Sequence, residues 1–181
     1  MPDQLQLRGG TTSEHSSFTG AAREVTVDTT KKTLVVHDGS QAGGTPLMKE
    51  SGTTGNVVFN DISVGKGANS VANNTAVGLG ALDAAVTGDR NTAIGRDALT
   101  SNTSGHDNTA LGVNSLDANT TGDYNTALGK DALETNSTGN DNTAVGYFAL
   151  QANTGSNNTA VGKNSLGNNT SGTQNTAIGN S

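Results

Sequence analysis

The sequence predicts an all-β protein, a small N-terminal β domain followed by a parallel β-solenoid. Three observations lead there. Val, Leu, Ile and Phe make up only 32 of the 181 residues, too little apolar area for one large globular core to offset the entropy of ordering the chain. Thr, Gly and Asn number 27, 25 and 22, and all three are poor residues for a helix interior. The net charge is only -6 and there are only two prolines, while the polar residues recur at fixed intervals. A disordered chain has no reason to keep such intervals.

The repeat is the strongest signal. The motif Asn-Thr-Ala-(Val/Ile/Leu)-Gly begins at Asn74, Asn91, Asn108, Asn125, Asn142, Asn158 and Asn175. This is a 17-residue repeat, shortened by one only between Asn142 and Asn158. A second series is Leu82, Leu99, Leu116, Leu133, Leu150 and Leu166, each preceded by Ala or Ser. A third is Gly88, Gly105, Gly122, Gly139, Gly155 and Gly172. Interlocked series in register mark a solenoid, and a repeat this short cannot hold a helix pair.

Within one coil, period-two alternation puts Thr75 and Val77 on one strand face and Asn74 and Ala76 on the other. Gly78, and its equivalents Gly95, Gly112, Gly129, Gly146, Gly162 and Gly179, permit a bend after the strand. Ala81-Leu82 is expected to begin a second short strand, and Thr87-Gly88-Asp89 returns the chain to the next coil. Asn at the same place in every coil invites a hydrogen-bonded ladder. At about 4.8 Å per coil the seven repeats stack to roughly 30–35 Å. Two apolar rows result, one of Val77, Ile94, Leu111, Leu128, Val145, Val161 and Ile178, the other the leucine series. One row is expected to fill the roll and the other to pack against identical chains about a symmetry axis; the sequence leaves open which does which.

Asparagine also sets the organisation, because none lies before Asn56. Residues 1–49 read as an N-terminal domain, 50–73 as a connector and 74–181 as the roll of seven repeats, the last incomplete. In the first part, Arg23–Asp28 and Thr33–Gly39 are β-branched runs on either side of a turn-like Asp28–Lys32, which predicts a hairpin. In the connector, Asn56–Phe59 and Asp61–Gly65 are expected short strands.

Several function classes recede. The absence of cysteine removes disulfides and thiolate metal sites. No apolar run approaches the roughly 18 residues that span a bilayer, and Met1-Pro2-Asp3-Gln4 lacks the basic and apolar regions of a secretory signal. The acidic balance argues against nucleic acid and anionic membrane as partners. His15, His37 and His106 each adjoin an acid, but the first two lie far from the third in sequence, and the favoured reading is packing. Gly65-Lys66-Gly67 and Gly78-Leu79-Gly80 are too short for a phosphate loop. Asp89, Asp107, Asp123 and Asp141 follow the repeat without the spacing of a calcium-binding nonapeptide, which favours solvated turns. Tyr124, Tyr147 and Phe148 are the aromatics of the repeats; local packing is the plain reading, and an exposed carbohydrate-stacking patch the sharper one. No nucleophile–base pair or carboxylate dyad stands out. The chain reads as a non-enzyme without cofactor or metal.

The Asn74-Thr75-Ala76-Val77-Gly78 unit and its copies resemble the YadA-like head repeat of trimeric autotransporter adhesins, a trimeric left-handed parallel β-roll. Residues 5–47 resemble the N-terminal segment of phage tail-fibre receptor-binding proteins of the major tropism determinant type. The stretch from Leu7-Arg8-Gly9-Gly10-Thr11-Thr12 through Phe18–Thr29 and Thr33–Gly39 to Ala42-Gly43-Gly44-Thr45-Pro46-Leu47 carries that resemblance. It implies a small β-prism-like domain, a homotrimer and a place in the virion. The expected function is a structural one: a tail fibre, base plus shaft, attached to the phage tail or baseplate or to other fibre proteins. It would be assembled in the bacterial cytoplasm and carry or contribute to binding of a host glycan or protein receptor. A bacterial trimeric adhesin head is the alternative, and a polysaccharide depolymerase tailspike a weaker one. The last repeat shows no atypical capping unit, so Ser181 is expected not to be a natural solenoid end.

Overall fold

The computed structural model describes the backbone of residues 7–10, 24–28, 33–37, 45–46, 49–50 and 57–59. With side chains it describes residues 62–67, 71, 73–84 and 86–180. Two compact units divide the chain, one made of Met1–Ser51 and Val57–Phe59, the other of Gly52–Asn56 and Asn60–Ser181.

The first unit carries a four-stranded sheet in the order β1 (Leu7–Gly10), β2 (Glu24–Asp28), β3 (Thr33–His37), β4 (Thr45–Pro46). The expected hairpin is present: β2 and β3 are antiparallel, with Glu24 opposite His37 and Asp28 opposite Thr33. The parallel partner β1 and the short β4 have too few β-branched residues to announce themselves in sequence. The connector strands are β6 (Val57–Phe59), antiparallel to β5 (Lys49–Glu50), and β7 (Ile62–Gly65).

The second unit is the solenoid. Each coil has one three-residue strand: β8 (Thr75–Val77), β9 (Thr92–Ile94), β10 (Thr109–Leu111), β11 (Thr126–Leu128), β12 (Thr143–Val145), β13 (Thr159–Val161) and β14 (Thr176–Ile178). They pair in parallel with Thr on Thr and Ala on Ala. At the N-terminal end, β7 runs antiparallel to β8, with Val64 opposite Val77, and so covers an edge that would otherwise be unpaired. Outside the strands, coils still bond to coils: Leu99 N–H donates to Ser115 O at 3.1 Å and Ser101 N–H to Asp117 O at 3.1 Å.

The second strand expected at Ala81-Leu82 is not there; that stretch is a turn. The six leucines of the row, from Leu82 to Leu166, have φ between 50° and 52°, in the left-handed region that bulky residues avoid. That conformation costs roughly 1–2 kcal/mol. Full burial of a leucine contributes roughly 1.5–3 kcal/mol, and Leu82, Leu99, Leu116, Leu133 and Leu150 are wholly buried. Burial prevails, and the leucine is swung inward at a corner instead of lying along a strand. The leucine row therefore fills the coil together with the strand alanines, from Ala76 to Ala160, which are also wholly buried.

Two asparagine ladders line the rest of the interior. In the first, Asn108 Nδ2 donates to Gly122 O at 2.8 Å and to Asn91 Oδ1 at 3.2 Å, while Asn108 N–H donates to the same Oδ1 at 3.0 Å. Asn125, Asn142 and Asn158 repeat the pattern. The second ladder, Asn102, Asn119, Asn136, Asn153 and Asn169, escaped the sequence reading. Its amides reach the same glycine carbonyls, as Asn119 Nδ2 does to Gly122 O at 3.0 Å. One carbonyl thus accepts two buried amides. Gly122 is tied to that place by close approach, since a Cβ there would lie 2.5 Å from Asn119 Oδ1. At Gly112, φ is +141° and a Cβ would meet Gly129 O at 2.5 Å.

The shortened spacing between Asn142 and Asn158 has a local consequence. Asn119 Nδ2 donates to Asn102 Oδ1 at 2.9 Å and Asn169 Nδ2 to Asn153 Oδ1 at 2.9 Å, but Asn136 Oδ1 is buried with no partner. Asn153 Oδ1 instead also accepts from Asn158 Nδ2 at 3.1 Å. The missing residue interrupts the second ladder between Asn136 and Asn153.

Two outcomes follow for stability. Asn125→Ala removes the acceptor of Asn142 N–H and one donor to Gly139 O; it should cost about 2–4 kcal/mol in denaturant unfolding, and a loss under half a kcal/mol would show the ladder to be incidental. Inserting a serine between Thr154 and Gly155 restores the common spacing and should raise stability by about 1 kcal/mol. An unchanged or lower unfolding midpoint would separate the interruption from the missing residue.

Candidate functional site

Because the strand alanine points inward, its neighbours point outward. The row from Val77 to Ile178, with the threonines two residues before each member, forms the outer face of the solenoid sheet. Ile94, Leu111, Val161 and Ile178 are exposed, to 45% at Leu111 and 79% at Ile178, and Val77, Leu128 and Val145 are half-buried. A parallel sheet is ordinarily covered on both faces. Here a strip of β-branched and aliphatic residues, roughly 30 Å long at strand spacing, faces outward from the single chain.

The corner before each strand is polar. The side chain of one coil accepts the backbone N–H of the coil before it: His106 N–H donates to Asp123 Oδ1 at 2.7 Å, Asp123 N–H to Asn140 Oδ1 at 2.7 Å, and Asn140 N–H to Ser156 Oγ at 2.9 Å. His106 Nδ1 lies 2.6 Å from Asp89 Oδ1, so its acid partner is not the adjacent Asp107. Asp107 takes a two-pronged bond from Arg90, at 2.7 and 2.8 Å. That bond holds the Asp107 carboxyl below its ordinary range and raises the Arg90 guanidinium. Asp89, Asp107 and Asp123 therefore act as caps and ion-pair partners. Among the described residues no group of three or more His, Asp or Glu is placed to hold a metal ion. His15 and the His37 side chain lie outside the described residues.

The corner after β12 holds two of the aromatics. Tyr147 and Phe148 stack with centroids 3.9 Å apart at 32°. Lys130 Nζ lies 5.3 Å from the Tyr147 centroid and 5.5 Å from that of Phe148, and Lys163 Nζ lies 6.0 Å from Tyr147, within cation–π range. Lys130 also pairs with Asp131, which raises its ammonium pKa. Tyr124, 60% exposed, belongs to the other corner, the one before the strand, and is not in this stack. The two lysines were missed in sequence; the signal was that Lys130, Tyr147 and Lys163 share one repeat position.

A second acid out of its ordinary range is Asp117, beside the buried Leu116. Burial pushes its carboxyl up, and Asp97 and Glu134 add to the shift. A folded-state pKa raised above the unfolded one means a contribution that favours folding at low pH and is lost as pH rises through the folded value. Asp117→Asn should therefore raise the melting temperature slightly at pH 7, with the difference vanishing near pH 3. A lower melting temperature at pH 7 would show the charge to be stabilising.

Comparison with known proteins bears on the first unit. Residues 5–41 match the model of the major tropism determinant N-terminal domain. The tail fiber receptor-binding protein of Bordetella phage BPP-1 is 63% identical over 49 residues, 27% of this chain and 13% of that protein. Among solved structures, the Major Tropism Determinant U1 variant is 43% identical over 35% of this chain and 20% of its own, with a TM-score of 0.24. For the I1 variant the figures are 39%, 42% and 22%, with a TM-score of 0.23. The chain thus spans about an eighth of the length of the curated relative it matches, and over its N-terminal segment it is similar to the N-terminal domain of major tropism determinants.

Proposed function

We propose that this chain is a structural component of a phage tail fibre and works as a homotrimer. The N-terminal segment serves as the base that attaches to the tail or baseplate, and the solenoid is a stiff shaft that contributes to contact with a host receptor. The observation that carries this reading is the 63% identity over 49 residues to a tail fiber receptor-binding protein. On this reading the chain belongs to the virion and is assembled in the bacterial cytoplasm.

The outer strip supports self-association. It is apolar and identical in every copy, so threefold packing about its long axis would cover it with the same residues from each chain. The acids support a non-catalytic reading, since Asp89, Asp107 and Asp123 have structural partners within the repeat.

Size-exclusion chromatography with light scattering should give three times the chain mass of 18.1 kDa; a monodisperse monomer at micromolar concentration overturns the trimer. Two leucines separate the rows. Leu111→Asp, on the outer strip, should leave the coil folded by circular dichroism and abolish association. Leu116→Asp, inside the coil, buries an unpaired charge and should prevent folding altogether. A trimer of the Leu111 variant would place the interface elsewhere. Mass spectrometry of purified particles should find the chain in the virion, and its absence overturns the fibre reading.

A further inference from the structure

The coil from Asn142 to Asn157 departs from its neighbours in several respects. It is one residue short, it has Tyr147 where the adjoining coils have Lys130 and Lys163, and it has Phe148 where they have Asp131 and Asn164. Phe148 has φ of 60°. Asn and Asp tolerate that left-handed conformation, whereas a benzyl side chain there is an outlier. The equivalent corners carry Gly80, Asp97, Asn114, Asp131 and Asn164, residues that suit this conformation, and here the repeat instead sets an aromatic beside Tyr147. The left-handed corner belongs to the repeat, as at Asp97, Asn114, Asp131 and Asn164; what is particular to this coil is the ring placed on it.

What surrounds the pair specifies the ligand. Tyr147 is 40% exposed and presents an amphipathic ring. Lys130 and Lys163 come from the coils on either side and bring their ammonium groups within 6.0 Å of that ring. Lys130 is paired with Asp131, while Lys163 has no acidic partner among the described residues. In a chain of net charge -6, this corner joins an apolar stacking surface to two cations. The aromatic ring suits the C–H face of a hexose. The ammonium groups, compact point charges with rotatable donors, suit a carboxylate on that hexose.

We propose that the Tyr147–Phe148 corner binds an acidic saccharide, with a hexose ring stacked on Tyr147 and its carboxylate held by Lys163 and Lys130. The proposal deepens the tail-fibre reading by giving the chemistry of a host-surface ligand, and rests on that reading only for the ligand's source.

The test uses the full chain carrying Tyr124→Phe, which leaves Tyr147 as the only tyrosine of a protein without tryptophan. Its emission is titrated with tetragalacturonate and with the methyl ester of the same tetramer, which keeps the rings and removes the charge. The acid should give a saturable change that weakens with salt, and the ester should bind about tenfold more weakly or less, the equivalent of one lost charge-assisted bond. Lys163→Gln should weaken the acid by a similar factor. Phe148→Asn restores the residue type of the repeat; it should abolish the response while the melting temperature holds or rises, whereas a purely structural aromatic pair would lose stability instead. No saturable response to the acid, an equal response to the ester, or indifference to Lys163→Gln overturns the proposal. Absence of the chain from virions overturns the fibre reading but leaves the titration standing, so the two fail separately.

Discussion

Each coil depends on one buried carbonyl. A chain that closes a turn within so short a repeat cannot keep all its peptide groups in a sheet, and some of them must point into the interior. The glycine carbonyl at the return is such a group, and leaving it unpaired would cost on the order of 1–3 kcal/mol in every coil. From the second coil onward two asparagine amides answer it, at 2.8 and 3.0 Å on Gly122 O. Their own oxygens are met by the asparagines of neighbouring coils, except at Asn136, where the ladder is interrupted. The polar interior is closed only when coils are stacked, so the repeat must be strict where these residues sit.

The same stacking explains the conformational cost of the leucine corners. With Ala on the inner face of the strand, the coil interior is narrow, and a single large side chain per coil fills it. Only a left-handed corner turns that side chain inward at the required place. Burial offsets the conformation, and the neighbouring coil's carbonyl takes the leucine N–H, as Ala132 O does for Leu116 at 3.0 Å. Local preference yields to packing at each of these six corners.

Outside the interior the constraints relax, and variation collects there. Corner positions carry Arg, Asp, Tyr, Asn and Gln in turn, and the position after the bend carries Leu, Arg, Val, Lys and Tyr. The apolar outer strip is the exception: it is exposed in the single chain yet never becomes charged. A surface kept β-branched and aliphatic over seven strands is better suited to a partner of the same shape than to water. The scaffold thus separates three tasks, with polar closure inside, association on the strand face and display at the corners.

The sequence by itself determined the all-β class, the solenoid, its coil length and the first asparagine ladder, because each rests on periodicity, and periodicity is visible without coordinates. The hairpin of β2 and β3 was also legible, from two β-branched runs around a polar turn. Which apolar row fills the coil was decided only by tertiary structure. Val77 and Leu82 are equally apolar, and what separates them is the closure of the chain around Ala76, which leaves Val77 outside and swings Leu82 in. The second ladder went unread because Asn102 and its copies sit in turn-rich stretches where asparagine needs no special reason. Lys130 and Lys163 gained meaning only once stacking set them on either side of Tyr147. Contacts between residues a coil apart are a property of the stacked solenoid, since the coil's own spacing says nothing of what lies above and below.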